Sequence, residues 1–315
     1  MGEAKIVVMG ANVTDAECAG LAQIADCHYL KSLSELEEMS QQALAAVTVL
    51  AVKGHNPLTG DTMDHFPNLG LIANFGVGYD SIDVDAASAR GIKVTNTPDV
   101  LNDDVADTAV GMMLAQAREL VKGDHWVRSG KWAKEGSMPL NRKMTGGTVG
   151  IVGLGRIGRE IANRLAAFKM EIHYHSRSDK ETPGWTYHAD VVDLARAVDW
   201  LVVALVGGAE TEKYVSAEAI AALGENGVVI NISRGTTVDE GALLDALEAG
   251  KIAGAGLDVF VGEPDVDPRF FALDNVCLQP HQGSATHATR RAMADLQRAN
   301  VAAFLKGDAL LTPVN

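Results

Sequence analysis

Cysteine, positive charge and long apolar runs are all scarce in this 315-residue chain. The cysteines are three, Cys18, Cys27 and Cys277, an odd number with no metal-ligand spacing. That usage fits a reducing compartment with buried or inert thiols. Lysine and arginine total 27 against 41 aspartates and glutamates, a net charge of −14. The basic footprint that nucleic acid or an anionic membrane requires is missing, so both are excluded as partners. An anionic substrate would then demand a local positive site. No apolar stretch approaches the roughly 18 residues of a membrane span. Met1-Gly2-Glu3-Ala4-Lys5 leads almost directly into the apolar Ile6-Val7-Val8, without the layout of a signal peptide. These features predict a cytoplasmic protein. With 47% hydrophobic and 22% charged residues the chain is not disordered, and its length suggests two domains.

Short runs rich in valine and isoleucine alternate with longer helical patterns, the signature of βαβ units. The first series predicts strands at 5–9, 47–52, 69–75 and 93–95, with helices at 14–25, 34–45 and 84–90. Asn96-Thr97-Pro98 punctuates the chain and reads as a domain crossing. One long helix is expected from Asn102 to about Val127, opened by Asn102-Asp103-Asp104. A denser series follows, with strands at 148–152, 171–175, 200–205, 228–232, 255–259 and 276–279, and a last helix at 286–306. Between the two series, 130–147 reads as a long irregular stretch, either functional or an interface arm.

Val149-Gly150-Ile151-Val152-Gly153-Leu154-Gly155-Arg156-Ile157-Gly158 is an apolar strand running through Gly-x-Gly-x-x-Gly into an amphipathic helix. Gly153 permits the tight turn, Gly155 lets the backbone approach a pyrophosphate, and Gly158 permits close helix–strand packing. The free N–H groups of the helix N-terminus receive the phosphates. This reads as a dinucleotide site. A strand that selects NAD ends about 20 residues on in a carboxylate for the ribose hydroxyls. Here the tip is His175-Ser176-Arg177-Ser178-Asp179-Lys180, with no carboxylate at 175–176. Two hydroxyls and a guanidinium hydrogen-bond and neutralise a 2′-phosphate, so NADPH is preferred, with NADH possible.

Three more segments place polar groups at strand ends. Arg234 follows Val229-Ile230-Asn231-Ile232-Ser233; Asp258 lies within or at the end of the next strand, with Glu263 in the loop beyond; His281 follows the last strand. Ligands of open α/β sheets collect outside the carboxyl ends of the strands. This set suits carbonyl reduction: His281 donates the proton, Glu263 stabilises its imidazolium, and Arg234 holds a 2-oxo carboxylate.

With these segments in view, the sequence resembles the D-isomer-specific 2-hydroxyacid dehydrogenase family over nearly its whole length. The likeness rests on Gly153 to Gly158, Asn231-Ile-Ser-Arg-Gly235, Gly256-Leu-Asp-Val-Phe260 with Glu263-Pro264, Pro280-His281-Gln-Gly-Ser284, Asn96-Thr-Pro-Asp99, Asp104-Val-Ala-Asp107-Thr108 and Leu310-Leu-Thr-Pro-Val-Asn315. The Ser176-Arg177-Ser178 tip is similar to that of NADPH-dependent glyoxylate/hydroxypyruvate and hydroxyphenylpyruvate reductases.

The resemblance implies an α/β fold of two doubly wound parallel-sheet domains, Rossmann-like and flavodoxin-like, with a cleft between them. The substrate domain would be 1–98 plus 286–315, and the NAD(P)-binding domain 99–285. It implies the catalytic set Arg234, Glu263 and His281, and substrate contacts from Val77, Gly78, Arg234 and Ser284. Cofactor contacts would come from Thr108, Gly153, Leu154, Gly155, Arg156, Ile157, Gly158, Ser176, Arg177, Ser178, Ile232, Ser233, Arg234, Asp258, His281 and Gly283. It further implies a homodimer, joined partly through the 130–147 arm.

Some positions depart from the family pattern. Val206-Gly207-Gly208-Ala209-Glu210-Thr211 replaces a proline-containing loop, which leaves the adenine side open. Lys53 reads as an exposed lysine or as a second positive charge for substrate, Tyr79 lies in or near a substrate-loop position, and Trp132 and Met138 in the arm either reach a neighbouring subunit's site or pack. Two other readings stand beside this one: an NAD-linked phosphoglycerate dehydrogenase, which favours an acidic strand tip, and a dinucleotide-sensing corepressor. The first conflicts with Ser176-Arg177-Ser178, and no extra interaction segment supports the second.

Overall fold

The computed structural model describes residues 5–10, 13–54 and 56–315. The chain divides into two compact units, Met1–Leu101 with Thr286–Asn315, and Asn102–Ala285.

In the first unit the chain runs β1 (Ile6–Met9), α1 (Asp15–Ala22), β2 (Cys27–Leu30), α2 (Gln41–Ala46), β3 (Val49–Val52), α3 (Gly60–Asp64), β4 (Leu71–Asn74), α4 (Val84–Ala89) and β5 (Lys93–Thr95). The strands pair in parallel in the order β2-β1-β3-β4-β5, the flavodoxin-like arrangement. Parallel strands covered on both faces read as unbroken apolar runs, and β1 and β3 are buried along their full length. The alternation of side chains sorts them into two cores. Val7, Met9, Leu50, Ile72 and Val94 face Leu44, Met63 and Phe66, while Ile6, Val8, Val49, Ala51, Leu71 and Ala73 face Leu21 and Val301. Thr14, Ser40, Thr59 and Asp83 cap α1 to α4, each accepting a first-turn N–H. Such caps are worth about 1 kcal/mol each.

The second unit continues with α5 (Asn102–Arg118), α6 (Leu120–Arg128), α7 (Lys131–Glu135), β6 (Thr148–Val152), α8 (Arg156–Ala167), β7 (Glu171–His175), β8 (Thr186–His188), α9 (Val191–Arg196), β9 (Trp200–Val203), α10 (Ala217–Leu223), β10 (Val228–Asn231), α11 (Glu240–Glu248), β11 (Gly254–Leu257) and β12 (Val276–Leu278). Its sheet has the order β12-β11-β10-β9-β6-β7-β8, all parallel. This is the Rossmann order with one added strand, and its switch point lies at β6, between β7 and β9. The last helix, α12 (His287–Lys306), belongs to the first unit. There Gln297 donates to the Ala73 carbonyl at 2.8 Å, and the fully buried Asn300 accepts from Leu311 and Thr312, tying down the tail.

Several elements differ from the sequence expectation. The long helix of 102–127 is two helices, because Glu119 adopts a left-handed φ of 46° and restarts the chain as α6. The helix expected over 34–45 is a 3₁₀ segment, Leu33–Glu38, followed by the short α2. The irregular 130–147 stretch contains α7. Strands β2 and β8 and helix α3 were not anticipated. No helix among the described residues is long and apolar enough to cross a membrane.

Candidate active site

The glycine turn leaves β6 at the switch point, where each glycine meets a different constraint. Gly153 has φ 99°, and a Cβ there would lie 2.6 Å from the Ala204 carbonyl oxygen. At Gly158 a Cβ would lie 2.1 Å from the Gly153 oxygen, so only glycine lets α8 start so close to the strand. A Cβ at Gly155 would meet nothing within 4 Å. Gly155 is also the N-cap of α8, with no side chain to satisfy the first-turn N–H groups. Open space above an uncapped helix N-terminus fits a pyrophosphate. Leu154 is buried beneath the turn, whereas Arg156 is exposed and Ile157 half-buried.

β7 ends at His175, and the following Ser176, Arg177 and Ser178 form a turn in which the Ser176 hydroxyl donates to the Ser178 carbonyl at 2.5 Å. Arg177 and Ser178 are exposed. The nearest carboxylate, Asp179, is held by the Tyr174 hydroxyl and by the Lys180 N–H. The tip therefore presents the Ser178 hydroxyl and the Arg177 guanidinium, donor chemistry for a phosphate, while the Ser176 hydroxyl spends its proton within the turn.

The groups at the carboxyl ends of β10, β11 and β12 are oriented by their own backbone. Asn231, 1% exposed, accepts from Ser233 N–H at 3.0 Å and donates to the Arg234 carbonyl at 2.9 Å. Thr237 donates to the same carbonyl at 2.7 Å, so the Arg234 backbone is fixed from two sides. The Ser233 hydroxyl donates to Leu205, and Ile232 is buried beside it. Asp258 is 2% exposed and accepts from the backbone N–H groups of Gln282 at 2.6 Å and Gly283 at 2.8 Å. Burial pushes its carboxyl up, and those two N–H bonds act in the opposite direction. Charge-assisted bonds of this kind contribute about 1.5–3 kcal/mol each. They fix the loop that carries His281, whose φ is 55°. The Thr108 hydroxyl reaches the Gly283 carbonyl at 3.4 Å, and Ser284, next along, is half-buried. His281 Nδ1 lies 2.7 Å from Glu263 Oε2, while Glu263 Oε1 accepts the Phe260 N–H at 2.8 Å. Arg234, Asp258, Glu263 and His281 thus all stand at the strand ends of the second unit, with histidine and glutamate in direct contact.

Residues 110–283 match the D-isomer specific 2-hydroxyacid dehydrogenase, NAD binding domain. The chain is 47% identical over 274 residues to hydroxyphenylpyruvate reductase of Plectranthus scutellarioides, covering 86% of this chain and 87% of that protein. It is 48% identical over 269 residues to a glyoxylate/hydroxypyruvate reductase of Arabidopsis thaliana, covering 85% and 86%. The chain belongs to the D-isomer-specific 2-hydroxyacid dehydrogenase family. Among solved structures of this family, it is similar to the NADPH-dependent glyoxylate/hydroxypyruvate reductase of Sinorhizobium meliloti in complex with NADP and malonate. That likeness has a TM-score of 0.93 and 44% identity, and covers 98% of this chain and 96% of that one.

In the first unit of this dehydrogenase chain, the loop after β4 turns its carbonyls inward. Asn74 donates to the Gly76 and Gly78 oxygens at 3.2 and 2.8 Å, and Asn96 donates to the Val77 oxygen at 2.9 Å. Thr97 accepts the Gly76 N–H at 3.0 Å. The N–H groups of Val77 and Gly78 have no acceptor among the described residues. Lys53 is not the exposed lysine expected. Its ammonium lies 2.9 Å from both oxygens of Glu17 and 4.9 Å from the centre of the Phe75 ring. Tyr79 packs against the first unit's core, and Trp132 stands exposed on α7.

Sequence reasoning found the groups with distinctive chemistry and missed those that orient them. Asn231, Asn74 and Thr97 act through main-chain carbonyl and amide groups. The only signal for Asn231 and Thr97 was membership of the Asn231-Ile-Ser-Arg-Gly235 and Asn96-Thr-Pro-Asp99 motifs, and for Asn74 its place just before Val77 and Gly78.

Proposed function

We propose that this dehydrogenase reduces a small 2-oxo acid of the glyoxylate or hydroxypyruvate type to the D-2-hydroxy acid with NADPH. The observation that carries the reading is the contact between His281 Nδ1 and Glu263, at 2.7 Å. A carboxylate accepting from Nδ1 stabilises the imidazolium and makes Nε2 the atom that gives its proton to the carbonyl oxygen. NADPH, when bound, supplies the hydride that adds to the carbonyl carbon. Arg234 offers a forked donor to the substrate's carboxylate, polarising the neighbouring carbonyl. The paired N–H groups of Val77 and Gly78 are carboxylate donors of the same kind. Asp258 holds the Gln282 and Gly283 amides, and with them the His281 loop.

Gly153, Gly155 and Gly158 would cradle the pyrophosphate, with Leu154, Arg156 and Ile157 in the same turn. Ser176, Arg177 and Ser178 would hold the 2′-phosphate. Thr108, Ile232, Ser233 and Gly283 line the nicotinamide end in this reading, and Ser284 the substrate. The exposed Leu120, Val121, Val127 and Trp132, on helices that bury none of their own residues, support a homodimer joined through this face. Three free cysteines support a cytoplasmic location.

His281→Ala tests the reading. It should cost roughly 10²–10⁴ in kcat while NADPH affinity is retained. Near-normal turnover would remove the imidazole from the proton-donating role.

A further inference from the structure

Glu240, the first residue of α11, belongs to no motif of the reading above. Its Oε2 accepts the Val261 N–H at 2.9 Å. The preceding amide, Phe260 N–H, is the one that donates to Glu263 Oε1, at 2.8 Å. Two consecutive backbone N–H groups therefore each seat one carboxylate. Gly235 backs the same peptide so closely that a Cβ would lie 2.0 Å from the Phe260 carbonyl carbon and 2.3 Å from the Val261 nitrogen. The Phe260 ring packs edge-on against Phe270, their centres 5.5 Å apart. The two peptide units flanking Phe260 are thus each held by one carboxylate, with Gly235 packed against the second and the Phe260 ring anchored on Phe270.

Glu240 is not needed to cap its helix, because Asp239 accepts the Ala242 N–H in that role. Burial, with the charges of Asp267 and Glu263 nearby, pushes the Glu240 carboxyl up, and the Val261 N–H opposes that shift. No ion pair to a cation compensates it among the described residues. A carboxylate half-buried beside other carboxylates is costly, and the Val261 N–H is the hydrogen bond that offsets part of that cost.

We infer that Glu240 is a positioning residue for the acid–base pair: by fixing the Val261 N–H it sets the Phe260 amide on which Glu263 sits, and so holds Glu263 against His281. This rests on the proton-donating role of the Glu263–His281 pair proposed above.

The test uses Glu240→Asp, which keeps the charge but shortens the reach, and Glu240→Gln, which keeps the reach and an acceptor oxygen without the charge. Both are made in the full chain and followed with hydroxypyruvate and NADPH across pH, with NADPH affinity measured separately. Glu240→Asp should lower kcat roughly tenfold or more, the scale of a small misplacement at a reacting group. It should also move the alkaline limb of the kcat profile toward acid, with NADPH affinity unchanged, while Glu240→Gln recovers most of the rate. An unmoved limb in Glu240→Asp overturns the inference, as does a Glu240→Gln enzyme no better than Glu240→Asp. Glu263→Gln, run alongside, separates the two levels. If it leaves the limb in place, the acid–base reading itself fails; if it shifts the limb and Glu240→Asp does not, only the role of Glu240 fails.

Discussion

Ser176, Arg177 and Ser178 stand directly beyond β7, where an acidic residue would repel a 2′-phosphate. Asp179, two positions after Arg177, is engaged instead by the Tyr174 hydroxyl and the Lys180 N–H. Arg177→Asp should therefore weaken NADPH binding far more than NADH binding, read as the two dissociation constants. Equal losses for both cofactors would rule out a contact to the 2′-phosphate. This position was readable from sequence because its chemistry is local: charge, hydroxyls and distance from the glycine turn. Asp258 was only partly readable. Its place at a strand end shows in the sequence, but its grip on two amides 24 and 25 residues away depends on how β11 and β12 lie side by side.

The glycine turn and the strands behind it follow from apolar runs and spacing, so β5, β6 and β7 fall on the expected residues. Shorter or interrupted elements were hidden. β8 has three residues, and β2 has four with His28 and Tyr29 exposed, too little apolar pattern to mark a strand. The break at Glu119 has no glycine or proline to announce it, since the helical spacing continues on both sides. β8 also carries a testable electrostatic feature. His188 Nε2 lies 2.9 Å from His173 Nδ1 on β7, and burial, then the neighbouring His173, holds the His188 imidazole below the ordinary histidine value. As pH falls through about 6.5, the unfolded chain takes up a proton at this histidine that the folded chain resists. Stability should therefore drop on the acid side of that value. Thermal midpoints from about pH 7.5 down to 5 should show the loss, and His188→Gln should flatten it. An equal slope in the variant would place the sensitivity elsewhere.

Across the whole molecule, the fold class was legible because alternating strands and helices with glycine-rich turns leave few alternatives. The net charge of −14 makes the positive groups at the strand ends conspicuous, and Arg177 and Arg234 are the ones the cofactor and substrate roles rest on. Lys53 illustrates what sequence does not reveal: its ion pair with Glu17 joins residues 36 positions apart. Of the apolar face of α6 and α7, only α7 lies in the 130–147 stretch expected to be an interface arm, since α6 was hidden in the long helix expected over 102–127; twice the chain mass in light scattering is the result expected of that face. NADPH-dependent reduction of a 2-oxo acid is open to direct measurement. The most direct test is the initial rate at the nicotinamide absorbance, with NADPH and NADH each crossed against glyoxylate, hydroxypyruvate, phenylpyruvate and 3-phosphohydroxypyruvate. Fast oxidation of NADPH, in preference to NADH, is expected with at least one of the first three acids. Turnover confined to NADH, or tight NADPH binding with no turnover on any of them, would contradict it.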